Sequence, residues 1–248
     1  MRTAPLALAA LLASAAAAPA WAAAEPGEPA VLVFSETAGF RHESIEDGIA
    51  AIEELGEEHD FRVEATEDSS RFDDAELARF DAVVWLSTTG DVLDAGQEAA
   101  FERYVRAGGG YVGVHAAADT EYDWPFYGEL VGAHFDSHPR IQPAEIRVED
   151  RHHDSTAHLP PRWERTDEWY NYRTSPRPDV HVLAALDEHT YDPGDGAMGD
   201  HPIAWCHAVD AGRAFYTGGG HTAESFTDPD FLRHLLGGIR TGLGHARC

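Results

Sequence analysis

Four short segments of this sequence gather side chains able to move protons or hold a cation. In Tyr111-Val112-Gly113-Val114-His115-Ala116-Ala117, an apolar run ends on one imidazole among small residues. A strand that ends this way can turn sharply, as in a nucleophile elbow, and expose that side chain. His115 could then serve as general base, metal ligand or nucleophile, or simply be satisfied by local hydrogen bonds. Gly132-Ala133-His134-Phe135-Asp136-Ser137-His138-Pro139 carries two imidazoles four residues apart, with His152-His153-Asp154 further on. His134 and His138 are thus candidate ligands for a divalent metal such as Zn²⁺ or Mn²⁺, although Pro125 and Pro139 argue against one regular helix presenting both. With 15 histidines in the chain, chance proximity is the competing reading. Asp167-Glu168-Trp169-Tyr170 sets an acidic pair against aromatic rings. That combination suits sugar recognition, and a partly buried Glu168 can act as an acid; a solvated charge pair beside core aromatics is the alternative. Gly218-Gly219-Gly220-His221 could bring backbone amides to an oxyanion, but a tight turn is the preferred reading.

These segments need elements to hold them. Residues 30–35 form an unbroken apolar run of the kind found in buried parallel strands. Ile45, Ile49, Ile52 and Leu55 recur at helical spacing, with Ser44 placed to cap the first turn. Strands are expected at 61–65, 81–86 and 111–114, with helices over 73–77 and 97–106, the latter stopped by Gly108-Gly109-Gly110. Further strands are expected at 144–148, 180–186, 202–208 and 213–217, then a helix over 229–241. The alternation predicts a single three-layer α/β domain: a mostly parallel sheet with helices on both faces and extra strands in the C-terminal half. Ligands of open α/β sheets bind beyond the carboxyl ends of the strands. Those ends deliver Arg41 and His42, Ser87 to Asp91, His115 with Asp119 and Thr120, and His221. The glycines of 108–113 match G-x-G-x-x-G but precede a strand, so they present no helix N-terminus to a pyrophosphate. The stretch 187–201 reads as a surface excursion whose acidic residues lack EF-hand spacing.

Composition excludes several functions. The 248 residues carry a formal charge of −26, which argues against nucleic-acid and anionic-membrane partners. The chain contains no lysine, so Schiff-base, pyridoxal-phosphate and P-loop lysine chemistry are ruled out. Residues 1–22 read as a cleavable signal peptide: Arg2, an apolar run from Leu6 to Ala18, then Pro19-Ala20-Trp21-Ala22. The expected product is secreted or periplasmic, with no membrane insertion and no cysteine near the cleavage site for a lipid anchor. Export permits Cys206 and Cys248 to pair, but a buried thiol and a frayed terminus is the preferred reading.

The chain resembles the ThuA-like (trehalose-utilisation) family, whose fold is similar to that of class I glutamine amidotransferases (flavodoxin-like). The resemblance is carried by Gly39-Phe40-Arg41-His42 with Ser44-Ile45, by residues 109–117, by Gly132-Ala133-His134-Phe135 with His138-Pro139, by residues 167–170, and by Gly212 to Thr217 leading to Gly220-His221. His153 falls where the family usually has His-Pro, Asp154 replacing the proline. The implied domain spans 29–246. In amidotransferases of this architecture a cysteine occupies the elbow and a histidine follows a late strand; here these positions match His115 and His221. Without the thiol there is no thioester, hence no glutaminase activity. The resemblance implies a carbohydrate ligand, a disaccharide or keto-sugar.

Three functions remain. The leading expectation is an exported carbohydrate-processing enzyme in which His115, His221 and Glu168 move protons. Arg41, His42, Asp119, Trp169 and Tyr170 would bind substrate, in a hydrolysis, isomerisation or elimination that is metal-assisted or metal-free. The second is a non-catalytic sugar-binding module of the cell envelope, stacking Trp124, Trp169, Tyr170 and Tyr172 on pyranose faces. The third is a histidine-rich metal-binding protein.

Overall fold

The computed structural model describes residues 27–248; the expected leader at 1–22 lies outside them. The first half alternates strand and helix: β1 (Ala30–Phe34), α1 (Ile45–His59), β2 (Arg62–Thr66), α2 (Asp74–Leu77), β3 (Ala82–Leu86), α3 (Ala95–Arg106) and β4 (Gly110–Val114). After a 3-10 turn at His115–Asp119 come α4 (Pro125–Val131), β5 (Phe135–Ser137), β6 (Gln142–Val148), β7 (Arg162–Asp167) and β8 (Asn171–Tyr172). The chain ends with β9 (His181–Leu186), β10 (His201–Val209), β11 (Gly212–Thr217) and α5 (Pro229–Gly242).

Nine strands form one sheet in the order β2-β1-β3-β4-β11-β10-β9-β6-β7, while β5 and β8 make a separate two-stranded ribbon. From β2 to β11 the strands are parallel, in the doubly wound 2-1-3-4-5 arrangement of flavodoxin-like folds. From β11 to β7 every pairing is antiparallel. The sheet is therefore mixed, with the parallel half carried by the expected alternation.

Local chemistry explains the elements. β1, β3 and β4 are buried throughout, as apolar strands covered on both faces should be. On one face Trp85 packs against Phe101 of α3 and Tyr127 of α4. On the other, a Cβ on Gly48 of α1 would strike Leu86, and one on Gly242 of α5 would meet Val112. α3 begins with a capping box in which Asp94 accepts from the Gly96 and Gln97 amides and Gln97 accepts from the Asp94 amide. Ser44 precedes α1 but makes no cap; its hydroxyl donates to the Gly220 carbonyl, tying α1 to the loop after β11.

Some elements depart from expectation. Pro125 opens α4 at its first position, where its missing N–H costs nothing, and Gly132 closes it in the left-handed region. The helix thus ends before His134, so His134 and His138 share no helical face. β7 was not anticipated because Arg162-Trp163-Glu164-Arg165-Thr166-Asp167 is too charged to read as a strand. Its buried positions are Trp163, Arg165 and Asp167, a period of two. Cys206 and Cys248 are joined in a disulfide with Cα atoms 5.7 Å apart, correcting the expected free thiol and frayed end. The turn after α5 returns the terminus to β10, which the sequence separation of 42 concealed.

Topology alone would keep β7 far from the centre, since four strand spacings place it roughly 19 Å from β11 in a flat sheet. Instead Asp167, the last residue of β7, accepts a 2.9 Å hydrogen bond from the Gly220 amide just past β11. Arg165 reaches Asp228 and lies over the Phe231 ring at 4.5 Å. The antiparallel half therefore curls back over the site edge. An even number of reversals also leaves β7 pointing the same way as β11, so Glu168 emerges beside His221.

Candidate functional site

The site is built on His115, the residue that ends β4. Its φ is 49°, a left-handed conformation uncommon for a side chain of this size, and it makes the turn a sharp elbow. The Tyr216 hydroxyl donates to the His115 carbonyl at 2.8 Å and fixes the elbow. The His115 ring is fully buried, and its Nδ1–H donates to the Gly218 carbonyl at 3.0 Å. A carbonyl only accepts, so the proton of neutral His115 sits on Nδ1 and its Nε2 lone pair faces the site.

Two groups meet that lone pair. His221 Nδ1 lies 3.1 Å from His115 Nε2, and Glu168 Oε2 lies 3.2 Å from His221 Nδ1 and 3.6 Å from His115 Nε2. His138 Nδ1, hydrogen-bonded to the Pro139 carbonyl at 2.9 Å, also lies 3.0 Å from the other carboxylate oxygen, Glu168 Oε1. His42 completes the cluster, its ring edge-on to His115 at 4.9 Å and to His221 at 5.1 Å. One ligand atom from each of His42, His115, Glu168 and His221 falls within 4.8 Å of the others.

Electrostatics divides these groups. Burial is the largest effect on Glu168 and pushes its carboxyl up, but the bonds and charges of His115 and His221 outweigh it and hold the group as a carboxylate. His221 shows the reciprocal balance: burial lowers it, while the Glu168 hydrogen bond and charge leave it raised. His42 is depressed to about 3, first by burial and then by His115 and His221. It is 4 % exposed, and its Nδ1 has no hydrogen-bond partner among the described residues.

Asp167 organises the loop around them. It is fully buried and accepts from the amides of Gly220 (2.9 Å), His221 (3.1 Å) and Glu168 (3.0 Å), and from the Ser225 hydroxyl (3.1 Å). The amides of Gly220 and His221 are thus committed to Asp167, and the Gly218 amide to Ile203, so this loop is a structured turn and not an oxyanion cradle. From sequence Asp167 was read only as half of an acidic pair with Glu168 and given no role of its own; the period-two pattern of Trp163, Arg165 and Asp167 was the available signal for its burial.

The remaining expected residues are distributed unevenly. Tyr170 packs on the His115 ring at 4.3 Å. Asp119 ends the 3-10 turn after the elbow and accepts from the Tyr122 hydroxyl; burial raises its carboxyl. Arg41 is turned outward, its guanidinium engaged by Glu46 and Glu67. Trp169 is fully buried with its indole N–H donated to the Gln142 carbonyl, which makes it a core residue and not a stacking surface. Trp124, Tyr170 and Tyr172 are at most 8 % exposed, whereas Phe40, beside His42 at 5.0 Å, is 66 % exposed. His134 stands outside the four-residue cluster, packed against Tyr122 and Tyr127, and His138 enters the site only through Glu168. A groove of about 580 Å³ between Glu149–His152 and Val180–Val182 shares no residue with the cluster. Several of its ionic groups pair with one another or with neighbours, Arg177 with Glu149 and Asp200, and His181 with Asp150.

A flavodoxin-like sheet with an imidazole elbow after β4 and a histidine after β11 defines a single-domain α/β protein of mixed sheet. The chain belongs to the trehalose-utilisation (ThuA) family, whose profile matches residues 30–240. Among solved structures it is similar to a ThuA-like protein from Bacteroides uniformis, with 26 % identity, TM-score 0.74, and 89 % of this chain and 94 % of that one covered. A ThuA-like protein from Parabacteroides merdae aligns with 19 % identity and TM-score 0.68, over 88 % of this chain and 90 % of that one. A β-galactosidase from Bacillus circulans shares the fold over 87 % of this chain and 30 % of its own, with 14 % identity and TM-score 0.57. No functionally curated protein matches significantly. Family membership points to a carbohydrate-related role. Among the described residues, no helix is long and apolar enough to cross a membrane.

Proposed function

We propose that this chain is an exported carbohydrate-processing enzyme whose reactive centre is His115, His221 and Glu168, acting on a disaccharide or keto-sugar. The observation that supports it is the convergence of His115 Nε2, His221 Nδ1 and Glu168 Oε2 within 3.1–3.6 Å at the carboxyl edge of the sheet. One imidazole with a lone pair aimed at the site, beside another paired with a carboxylate, is what acid/base catalysis needs. His115 offers a lone pair because its Nδ1–H is spent on Gly218, so it takes the proton from a sugar hydroxyl or an acidic C–H. His221, raised by Glu168, donates a proton to the departing or developing oxygen. Glu168 serves as the fixed negative charge of the pair, not as the acid, because its carboxyl is held ionised. In this reading the substrate contacts are Asp119, at the end of the turn after the elbow, and the exposed Phe40 ring beside His42. Hydrolysis, isomerisation and elimination all use such a pair.

The sugar-binding-module reading has less support, because the four aromatics expected to stack on pyranose faces are almost wholly buried. The test is an NMR turnover screen of the mature protein against disaccharides and their keto derivatives. We expect new sugar signals from the wild type and a loss of ~10²–10⁴-fold in His115→Ala. An unchanged rate in that variant removes His115 from the chemistry. Binding without product across the panel would favour the module.

A further inference from the structure

We propose that His42, His115, His221 and Glu168 form a mononuclear site for a divalent transition-metal ion of the zinc class. This inference rests on the reading of these residues as the reactive centre and changes how that centre works: with His115 Nε2 and His221 Nδ1 bound to the ion, neither nitrogen moves a proton, and the ion would polarise the substrate oxygen in their place.

The argument begins with hydrogens and lone pairs. Gly218 holds the His115 proton on Nδ1, so His115 Nε2 approaches the Glu168 Oε2 lone pairs at 3.6 Å with no hydrogen of its own to share. His221 Nδ1 is 3.1 Å from one and 3.2 Å from the other. A single Nδ1–H must then serve two acceptors, and in the other tautomer three lone pairs confront one another. A cation at their common point satisfies all three at once.

Geometry agrees. Ligands about 2.0–2.1 Å from a tetrahedral zinc stand about 3.3 Å apart. The three separations here, 3.1, 3.2 and 3.6 Å, bracket that edge. His42 supplies the fourth donor: a buried imidazole with an unpartnered Nδ1, from the other side of the parallel sheet's switch point, with a ring nitrogen inside the same 4.8 Å group. Three imidazoles with one carboxylate suit a borderline ion better than Ca²⁺ or Mg²⁺, which prefer all-oxygen shells.

The surrounding partners are those a metal site requires. A ligating histidine donates its second N–H to a carbonyl, as His115 does to Gly218. A ligating carboxylate is oriented through its other oxygen, and Glu168 Oε1 has the His138 ring 3.0 Å away as an ionic neighbour. The acidic trio Asp91, Glu98 and Glu121 has no such preparation, since Glu121 Oε1 already accepts from the Val92 and Leu93 amides at 2.8 Å.

The test uses the chelator-stripped mature protein with Zn²⁺ in isothermal titration, and Co²⁺ as a visible-absorption probe of coordination. One Zn²⁺ per chain is expected, with a raised Tm and intense d–d bands for Co²⁺ in a four- or five-coordinate nitrogen/oxygen field. His42→Ala and His221→Ala should each weaken Zn²⁺ by tenfold or more, while His134→Ala should bind as the wild type does. Circular dichroism of each apo variant separates lost ligation from lost folding, and His42→Gln, closer in size, repeats the test should His42→Ala fail to fold. Absence of stoichiometric binding by the wild type, or equal binding by the His42 and His221 variants, overturns the proposal. Turnover that survives chelation yet needs His115 overturns it too, while leaving the acid/base reading standing. Metal binding without turnover on any sugar has the opposite meaning.

Discussion

Replacing Asp167 with asparagine isolates what holds the reactive loop. The carboxylate is fully buried and accepts from three backbone amides and one hydroxyl, and Arg165 lies 3.5 Å away. An asparagine amide must aim its NH₂ at one of two donor sets. On the Oδ1 side it would face the Glu168 and His221 amides; on the Oδ2 side, the Gly220 amide and the Arg165 guanidinium. Either choice orphans at least one buried backbone N–H, at about 1–3 kcal/mol each. It also removes a negative charge from beside Arg165, a buried guanidinium that keeps Asp228 at 2.6 Å. Losing one member of a buried ion pair costs ~3–5 kcal/mol, and the surviving Asp228 contact sets the expected total at the lower end, about 3 kcal/mol. Urea unfolding followed by circular dichroism at pH 7, with the disulfide intact, reads this directly. Turnover should fall as well, because the displaced loop carries His221. A loss below about 1 kcal/mol with undiminished activity would refute the claim that Asp167 positions the site.

Two further outcomes can be measured. His234 is enclosed by Trp163, Phe215 and Phe231, and burial pushes it down to about 3 from its ordinary 6.5. Its depressed folded value means the unfolded chain takes up a proton that the folded one refuses. This contribution is whole above pH 6.5 and is lost as pH falls toward 3, at about 1.4 kcal/mol per pH unit. His234→Asn, whose amide nitrogen stands near the place of Nδ1 and can donate to the Ser155 carbonyl, should show a shallower loss of stability between pH 6 and 4; an identical slope would show that His234 is not the group responsible. Opening the Cys206–Cys248 link with Cys248→Ser releases a loop of 42 residues, for which chain entropy predicts roughly 4 kcal/mol. Chemical unfolding at an unchanged midpoint would contradict that, as would a free thiol in the untreated wild type.

The parallel half of the fold was legible because its strands are unbroken apolar runs and its helices carry apolar residues at their own period. The elbow at His115 was legible for a related reason, since only small neighbours permit a left-handed residue after a buried strand. The antiparallel half was harder. β7 hides its pattern in charged residues because Arg165 and Asp167 are buried as partners, and hydropathy does not record pairing. Glu168 was named from its neighbours Trp169 and Tyr170, yet those two pack into the interior, while the carboxylate turns toward imidazoles 53 residues on or earlier in the chain. The two histidines of residues 132–139 were read by their spacing, and a helix that ends at Val131 removes the meaning of that spacing.

By itself, the amino-acid order determined the strands and helices of the parallel half, which side chains leave the carboxyl ends of its strands, and which chemistries the chain lacks for want of lysine and an elbow thiol. These are local properties: periodicity, turn residues and the presence of a functional group. The tertiary structure alone decided that the sheet curls until its edge strand bonds the loop after β11, that His42 joins His115 and His221 around Glu168, that Arg41 turns away to surface carboxylates, and that the last residue is covalently tied to β10. Each depends on contacts between residues distant in the chain, settled by burial and charge pairing across the whole core, and no local pattern encodes them.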